Sequence, residues 1–377
     1  MSIRAKPTFS LKDSLFNLET VGQLGVALKS AYPDFDRRAF EREVVAAFPG
    51  LELKERISWM AVTLGNYLPN DFSGALVILQ DALPPPLDPA KTDGDFGEFI
   101  WVVPGEYVAR HGCTREHLAD SLNFLREATK RVSSENAIRP FLISFPEETL
   151  AFIHACTGDD NYHVRRLASE GIRPFLPWAP RVKLPVADVI TVLDKLHGDP
   201  TRYVTRSVAN TLNDLSRINV SAVVRALKRW RSAEQQEAGE LDWMTRHALR
   251  TLLRQDHPQA LQLLGYTRTP RFRLSRLTTT EVVRVGENLR WQCRLTSEGD
   301  QKLKVTLRLH FLKGNGKHSA KTFAVFDGHF KKGETVDIDK RQPFKPITTR
   351  SLYPGTHYAE LVVNGVASKR KAFELLG

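Results

Sequence analysis

HVRRLASEGIRPFLPW, residues 163–178, is the stretch on which the reading of this chain turns. Val164 and Ala168 stand four apart, which puts both on one face of a helix, with Arg166 between them on another. Stepping by 40 residues in either direction preserves the pattern. Arg126, Arg166, Arg206 and Arg246 fall in register, with Phe124, Val164, Val204 and Met244 two positions before and Ala128, Ala168, Val208 and Ala248 two positions after. An apolar face that recurs about every 40 residues is what HEAT-like helix pairs produce, because each pair buries that face only by stacking on its neighbours. The spacing is not rigid. ENAIRPFL and SEGIRPFL, aligned on Arg139 and Arg173, recur at 34 residues, so the units differ in length.

Towards the N-terminus the same helical spacing of apolar residues runs through LKDSLFNLETVGQLGVALKSAY, FDRRAFEREVVAAF and LKERISWMAVTLGNYL, with Pro33, Pro49 and Pro69 near the ends. LPPPLDPAKTDGDFGEF, residues 83–99, is rich in Pro, Asp and Gly and reads as a loop inserted between helical units. After Tyr266 the texture changes to period-two alternation in LRWQCRLTS, KLKVTLRLHFL, KTFAVFD, THYAELVV and KRKAFELL. The chain is therefore expected to be mainly α: a HEAT-like helical-repeat solenoid over 1–264, followed by a small all-β immunoglobulin-like sandwich over 265–377. Trp291 is a candidate core aromatic of the sandwich. GNGKHS lacks the spacing and the following helix of a phosphate loop and is expected to be a hairpin turn.

The formal net charge is +11, and its distribution carries more information than its size. From residue 265 onward 22 Lys and Arg face 10 Asp and Glu, whereas the first 264 residues hold 32 against 33. Within that near-neutral part, residues 159–231 hold 13 basic and 7 acidic residues. Two basic surfaces on an acidic background suit a polyanion laid across particular faces, because phosphate contacts come from clustered Lys and Arg. Cys113, Cys156 and Cys293 are scattered, with no zinc-ligand spacing, and fit a reducing compartment. The start lacks a secretory apolar core and no run approaches the roughly 20 apolar residues that span a bilayer, so a cytoplasmic protein without membrane attachment is expected.

Three carboxylates lie in strongly basic repeats: Glu135 in VSSENAIRPF, Glu170 in RRLASEGIRPF and Asp214 in TRSVANTLNDLS. Each has a bland reading. Glu170 follows Arg166 by four, the spacing of an intrahelical ion pair worth a few tenths of a kcal/mol. Ser134-Glu135 can begin a helix, where a negative side chain favours the positive dipole end. Asp214, Asn210 and Arg206 share one helix face. The sharper reading is a cationic surface that holds a polyanion, with a carboxylate left free for chemistry. Trp178, between two prolines on a short stiff connection, can be buried or can present its ring outward to a cation or a sugar. Trp230 and Trp243 are assigned to the core. His163 and His154 have no metal partners at suitable spacing, and nothing resembles a serine or cysteine triad.

At these residues the sequence resembles the HEAT-like DNA alkylation-repair glycosylases, specifically the AlkC type that carries an immunoglobulin-like extension. The words that carry the resemblance are LKDSLFN, ENAIRPFL, NYHVRRLASEGIRPFLPWAP and YVTRSVANTLNDLS, which span the helical part nearly end to end. The resemblance implies a monofunctional enzyme, without a lyase step, cofactor or metal, that removes 3-methyladenine and related N3-methyl cationic lesions from double-stranded DNA as a monomer. It implies that Glu135, Glu170 and Asp214 are the active-site carboxylates and that Trp178 meets the lesion. The arginine-rich second helices, with Arg165, Arg166, Arg173, Arg206, Asn210 and Arg246, would then form the DNA-binding face. Arg271, Arg273, Arg276, Lys331 and Lys332 of the β-domain would hold the duplex from the other side. The competing expectation, from a different class, is a non-catalytic HEAT-repeat scaffold for nucleic acid or an acidic protein.

Overall fold

Phe124, Val164, Val204 and Met244, the apolar positions of the repeat, are each 1% exposed or less, and Ala128, Ala168, Val208 and Ala248 are buried beside them. They lie on the helices Leu118–Thr129, Tyr162–Glu170, Arg202–Leu215 and Ala238–Ala248, each of which packs on the next. The helices Pro146–Cys156, Val186–Leu196 and Val220–Ala233 fill a second layer between them. Every fully buried Val or Leu in these layers contributes about 1.5–3 kcal/mol relative to exposure, and one helix alone cannot realise that gain. The computed structural model describes residues 10–346 and 351–377.

The repeat is held in register by charge as well as by apolar packing. Arg126 donates to Asp159 at 2.6 Å, Arg165 to Asp199 at 2.5 Å, and Arg202 reaches Glu240. In each case an arginine of one helix finds the acid at the start of the next unit. Asp159 and Asp199 also accept from the backbone N–H groups of Asn161 and Thr201, so each carboxylate both organises a helix entry and holds the preceding unit. Nearer the N-terminus, Asn17, Asp36 and Asp71 accept from N–H groups of the helices Leu18–Ala31, Arg37–Ala47 and Phe72–Asp81 and set where each starts.

Residues 83–98 form the expected loop, which is anchored to the helical layers. Leu87 N–H donates to Lys130 O at 2.9 Å, Arg131 Nε to Pro84 O at 2.6 Å, and Tyr203 N–H to Thr92 O at 3.1 Å. Gly97, at φ +70°, passes so near Arg131 that a Cβ would lie 1.7 Å from its carbonyl oxygen.

By compactness the chain divides into residues 1–248 and 249–377. The second unit begins with the short helices Arg250–Arg254 and Pro258–Leu263, ahead of the change of texture that the alternation marks at 265. Its strands form two sheets. In one, Asn288–Ser297 pairs with Phe272–Leu274, Thr278–Thr279 and Thr335–Pro343; in the other the order is Val282–Arg284, Lys371–Leu376, Gly355–Val363, Gln301–Leu312, His318–Phe330. Alternate residues of both sheets meet in one core around Trp291, Leu307, Phe311, Leu361 and Phe373, as a sandwich requires. GNGKHS is the hairpin turn between Gln301–Leu312 and His318–Phe330, with Gly316 at φ +74°.

Two smaller expectations change. Trp230 is buried, but Trp243 is only half-buried: its ring lies under the Arg202 guanidinium at 4.0 Å and stacks on His247 at 5.0 Å. Glu135 does not begin a helix; it sits in the turn that precedes Arg139–Ser144.

Candidate active site

Glu170 is the last residue of its helix, and the chain leaves through Gly171, where a Cβ would stand 2.9 Å from Ile138 Cγ2. That close approach turns the connection back so that Arg173 folds under the helix end. Arg173 Nη1 donates to Glu170 Oε1 at 2.6 Å, and its Nε donates to Asp214 Oδ2 at 3.0 Å. The N–H of Phe175 adds a donor to the same Asp214 oxygen at 3.3 Å. One turn before Glu170, Arg166 pairs with Glu135 and stands 3.6 Å from Glu170 Oε2. Ser133 also donates to Glu135, at 2.8 Å, and the Tyr203 ring lies 4.8 Å beneath the Arg166 guanidinium. Glu135, Arg166, Glu170, Arg173 and Asp214 thus form one row of alternating charge.

Glu170 and Asp214 are 3% and 2% exposed, whereas the Glu135 side chain keeps 22% of its surface. Burial works against a charge on Glu170, but Arg166 and Arg173 outweigh it and hold the carboxyl below the ordinary carboxylate range. The sequence placed these three acids in one site, and the structure brings them together. Each acid of the row has an arginine beside it, as a buried anion requires, while Glu170 Oε2 makes no hydrogen bond and has Arg166 at 3.6 Å.

The same pairing changes the picture of the basic residues. Arg166 and Arg173 are largely buried and engaged with carboxylates, and Arg165 holds Asp199 together with the carbonyls of Asp159 and Asp160. In this arrangement all three guanidiniums are engaged with carboxylates or carbonyls of the helical layers. Arg206 is about one third exposed and pairs with Asp93 of the 83–98 loop. Asn210 Oδ1 lies 2.8 Å from His247 Nε2, and Arg246 is exposed. In the β unit Arg271, Arg273, Arg276, Lys331 and Lys332 are exposed, with Arg273 paired to Glu298 at 3.0 Å.

Trp178 is 75% exposed, so the outward reading of its ring holds. Its φ of +60° is a left-handed conformation, unfavourable for a bulky side chain by about 1–3 kcal/mol and maintained only where the surroundings impose it. Two residues that the sequence did not place in the site hold the backbone around Trp178. Lys54 donates to the Trp178 carbonyl. Arg139, fully buried, donates to Gly171 O at 2.9 Å, to Arg173 O at 3.0 Å and to Pro180 O at 2.7 Å, so both ends of the 171–180 connection hang on one side chain. Burial pushes the Arg139 guanidinium down to about 10. The repeated IRPFL word was the available signal: it aligns Arg139 with Arg173, and each proves to be a buried fork.

Among the described residues no three His, Cys, Asp or Glu side chains gather as metal ligands would, and no helix is long and apolar enough to cross a membrane. Residues 273–377 match a family model described as the C-terminal Ig-like domain of the uncharacterised protein YhaZ. The uncharacterized protein YhaZ of Bacillus subtilis (strain 168) is 33% identical over 366 residues, covering 96% of this chain and 98% of that protein. A solved structure of Pseudomonas fluorescens alkylpurine DNA glycosylase AlkC, bound to DNA containing an abasic site analog, matches 98% of this chain and 100% of its own at a TM-score of 0.84 and 30% identity. The chain belongs to the AlkC family. Its helical repeat and its Ig-like C-terminal unit are the two parts of the AlkC fold, and the row of alternating charge lies in the helical one.

Proposed function

We propose that this chain is a monofunctional DNA glycosylase that releases cationic alkylated bases, 3-methyladenine and related N3-methyl lesions, from double-stranded DNA. The observation that carries the reading is the joining of Glu170 and Asp214 through Arg173, in a chain of the AlkC family. N3-methylation makes adenine a cation, so the base is already a good leaving group. When the N-glycosidic bond breaks, its electron pair goes to the base nitrogen and the base departs neutral. C1′ is left electron-poor with oxocarbenium character, and carboxylates held anionic beside it stabilise that charge. Water then supplies a hydroxyl to C1′ and its proton passes to solvent through a carboxylate.

In this reading Glu170 and Asp214 face the sugar, Glu135 orients the water and Trp178 rests its ring on the damaged nucleotide. Arg206, Asn210 and Arg246 contact the backbone, while Arg165, Arg166 and Arg173 act on DNA through the acids they position. No lysine among these residues is placed to form an imine, and cleavage ends at an abasic site. Chromatography of bases released from methylated duplex DNA by the pure protein tests the reading. Release of 3-methyladenine is expected, and Glu170→Gln and Asp214→Asn are expected to lower it by about 100-fold or more while DNA affinity is retained. A protein that binds methylated duplex and frees no base is the scaffold instead.

A further inference from the structure

Next to the charged row lies a cavity of about 620 Å³, walled by Trp59, Val62, Phe99 and Trp101, with Ser133 and Trp178 also on its lining. Ser133 is the residue that donates to Glu135, so the cavity and the row share a boundary. The charged groups on the lining, Lys54 and Arg110 against Glu55 and Glu106, balance in number and are each hydrogen-bonded, Glu55 by accepting from the Glu52 N–H at 2.8 Å. Lys54 donates to the Trp178 carbonyl, and Arg110 pairs with Glu106 at 3.0 Å and also donates to Ser58. What remains is an aromatic, apolar and electrically neutral volume within the range that holds small molecules. The exposed Asn136 amide on its lining offers one donor and one acceptor to the edge of a flat heterocycle.

The proposed reaction changes the charge of its base. Before cleavage the base is a cation and favours the carboxylates; after cleavage it is a neutral planar ring and favours aromatic walls. We propose that this cavity is a receiving site for the released base, a neutral alkylated purine, taken up as it leaves the sugar. The proposal rests on the glycosylase reading for the source of the purine. Occupancy by product draws the base away from C1′ and leaves the carboxylate row to the incoming water. It also makes the enzyme sensitive to inhibition by free base.

Equilibrium dialysis of the full chain against 3-methyladenine, without DNA, tests the site directly. Wild-type protein is expected to bind one equivalent with a dissociation constant of about 1 mM or tighter. Val62 is 45% exposed, so Val62→Trp fills the cavity from its open wall without disturbing the core, and it is expected to weaken binding at least tenfold. Trp59→Ala, which removes a wall instead of filling the space, is expected to weaken it as well, with helical circular dichroism confirming that both variants fold. Added 3-methyladenine is expected to slow base release by wild type and to slow Val62→Trp less. No saturable binding up to about 10 mM, or equal binding by wild type and both variants, overturns the proposal. It is also overturned if Val62→Trp slows release from DNA while its affinity for free base is unchanged, since the cavity then serves a base still attached. A protein that releases bases but binds no free purine keeps the glycosylase reading and loses this one; one that binds the purine but releases no base loses both, since the cavity then has no released base to receive.

Discussion

Arg173 touches Glu170 and Asp214 at a point from which water is nearly excluded, and both consequences of that contact can be measured. Replacing it with Gln leaves two buried carboxylates without their shared cation, which is expected to cost about 3–5 kcal/mol of unfolding free energy in urea titrations. Lys, which keeps the charge but not the fork, is expected to recover part of it. The second consequence is a pH dependence. Glu170 titrates below its ordinary 4.5, so the stability and activity that its anion contributes are fully present above pH 4.5 and are lost only as pH falls through the lower, folded value. Arg173→Gln is expected to move the acid limb of base release upward, which a pH–rate profile reads. Trp178 offers a prediction in which stability and activity part. Its left-handed φ suits glycine, so Trp178→Gly is expected to leave stability unchanged or raise it by up to about 1 kcal/mol, while base release falls. At this scale the sequence singled out the three acids because each lies in a basic repeat, and helical spacing tied Glu170 to Arg166. It did not show the fork of Arg173, since Asp214 is 41 residues away and only the stacking of two units brings it near.

Between elements, the apolar register was legible because it is local: Val164, Val204 and Met244 sit on faces that a period of 3.6 residues exposes to inspection. The ionic register was legible in principle and was passed over. Gly158-Asp159 and Gly198-Asp199 recur at 40 residues, and those aspartates take Arg126 and Arg165 of the preceding helices. The stretch 83–99 reads as an insertion, yet its acidic content has a target that no local pattern discloses. Asp93 pairs with Arg206, and the Thr92 carbonyl accepts from Tyr203 at the start of the same helix, so the loop supplies negative charge to the Arg206 guanidinium. Asp93→Asn is expected to free Arg206 and raise affinity for undamaged duplex. In a salt titration the slope of log K against log salt is expected to steepen by about one, the signature of one more phosphate contact.

For the molecule as a whole, the change from helical to alternating texture located the sandwich, but its first residues carry no strand pattern. The helices Arg250–Arg254 and Pro258–Leu263 belong with the strands by compactness, and the reason is electrostatic. Asp256, between them, is buried against Lys304 at 2.6 Å and Arg308 at 2.9 Å of the Gln301–Leu312 strand. A fragment of residues 249–377 is therefore expected to be more stable than one of residues 265–377 by about 1.5–3 kcal/mol, the contribution of hydrogen bonds to a charged group, as thermal circular dichroism would show. The arrangement of the row has a bearing on what the helical unit admits. The row itself holds three anions and two cations, and the buried Arg139 guanidinium, which lies in the field of all three acids, supplies a third cation, so the cluster is balanced and a positive guest would have to draw a carboxylate away from its arginine. An exchange of that kind would follow the sign of the guest and not its outline.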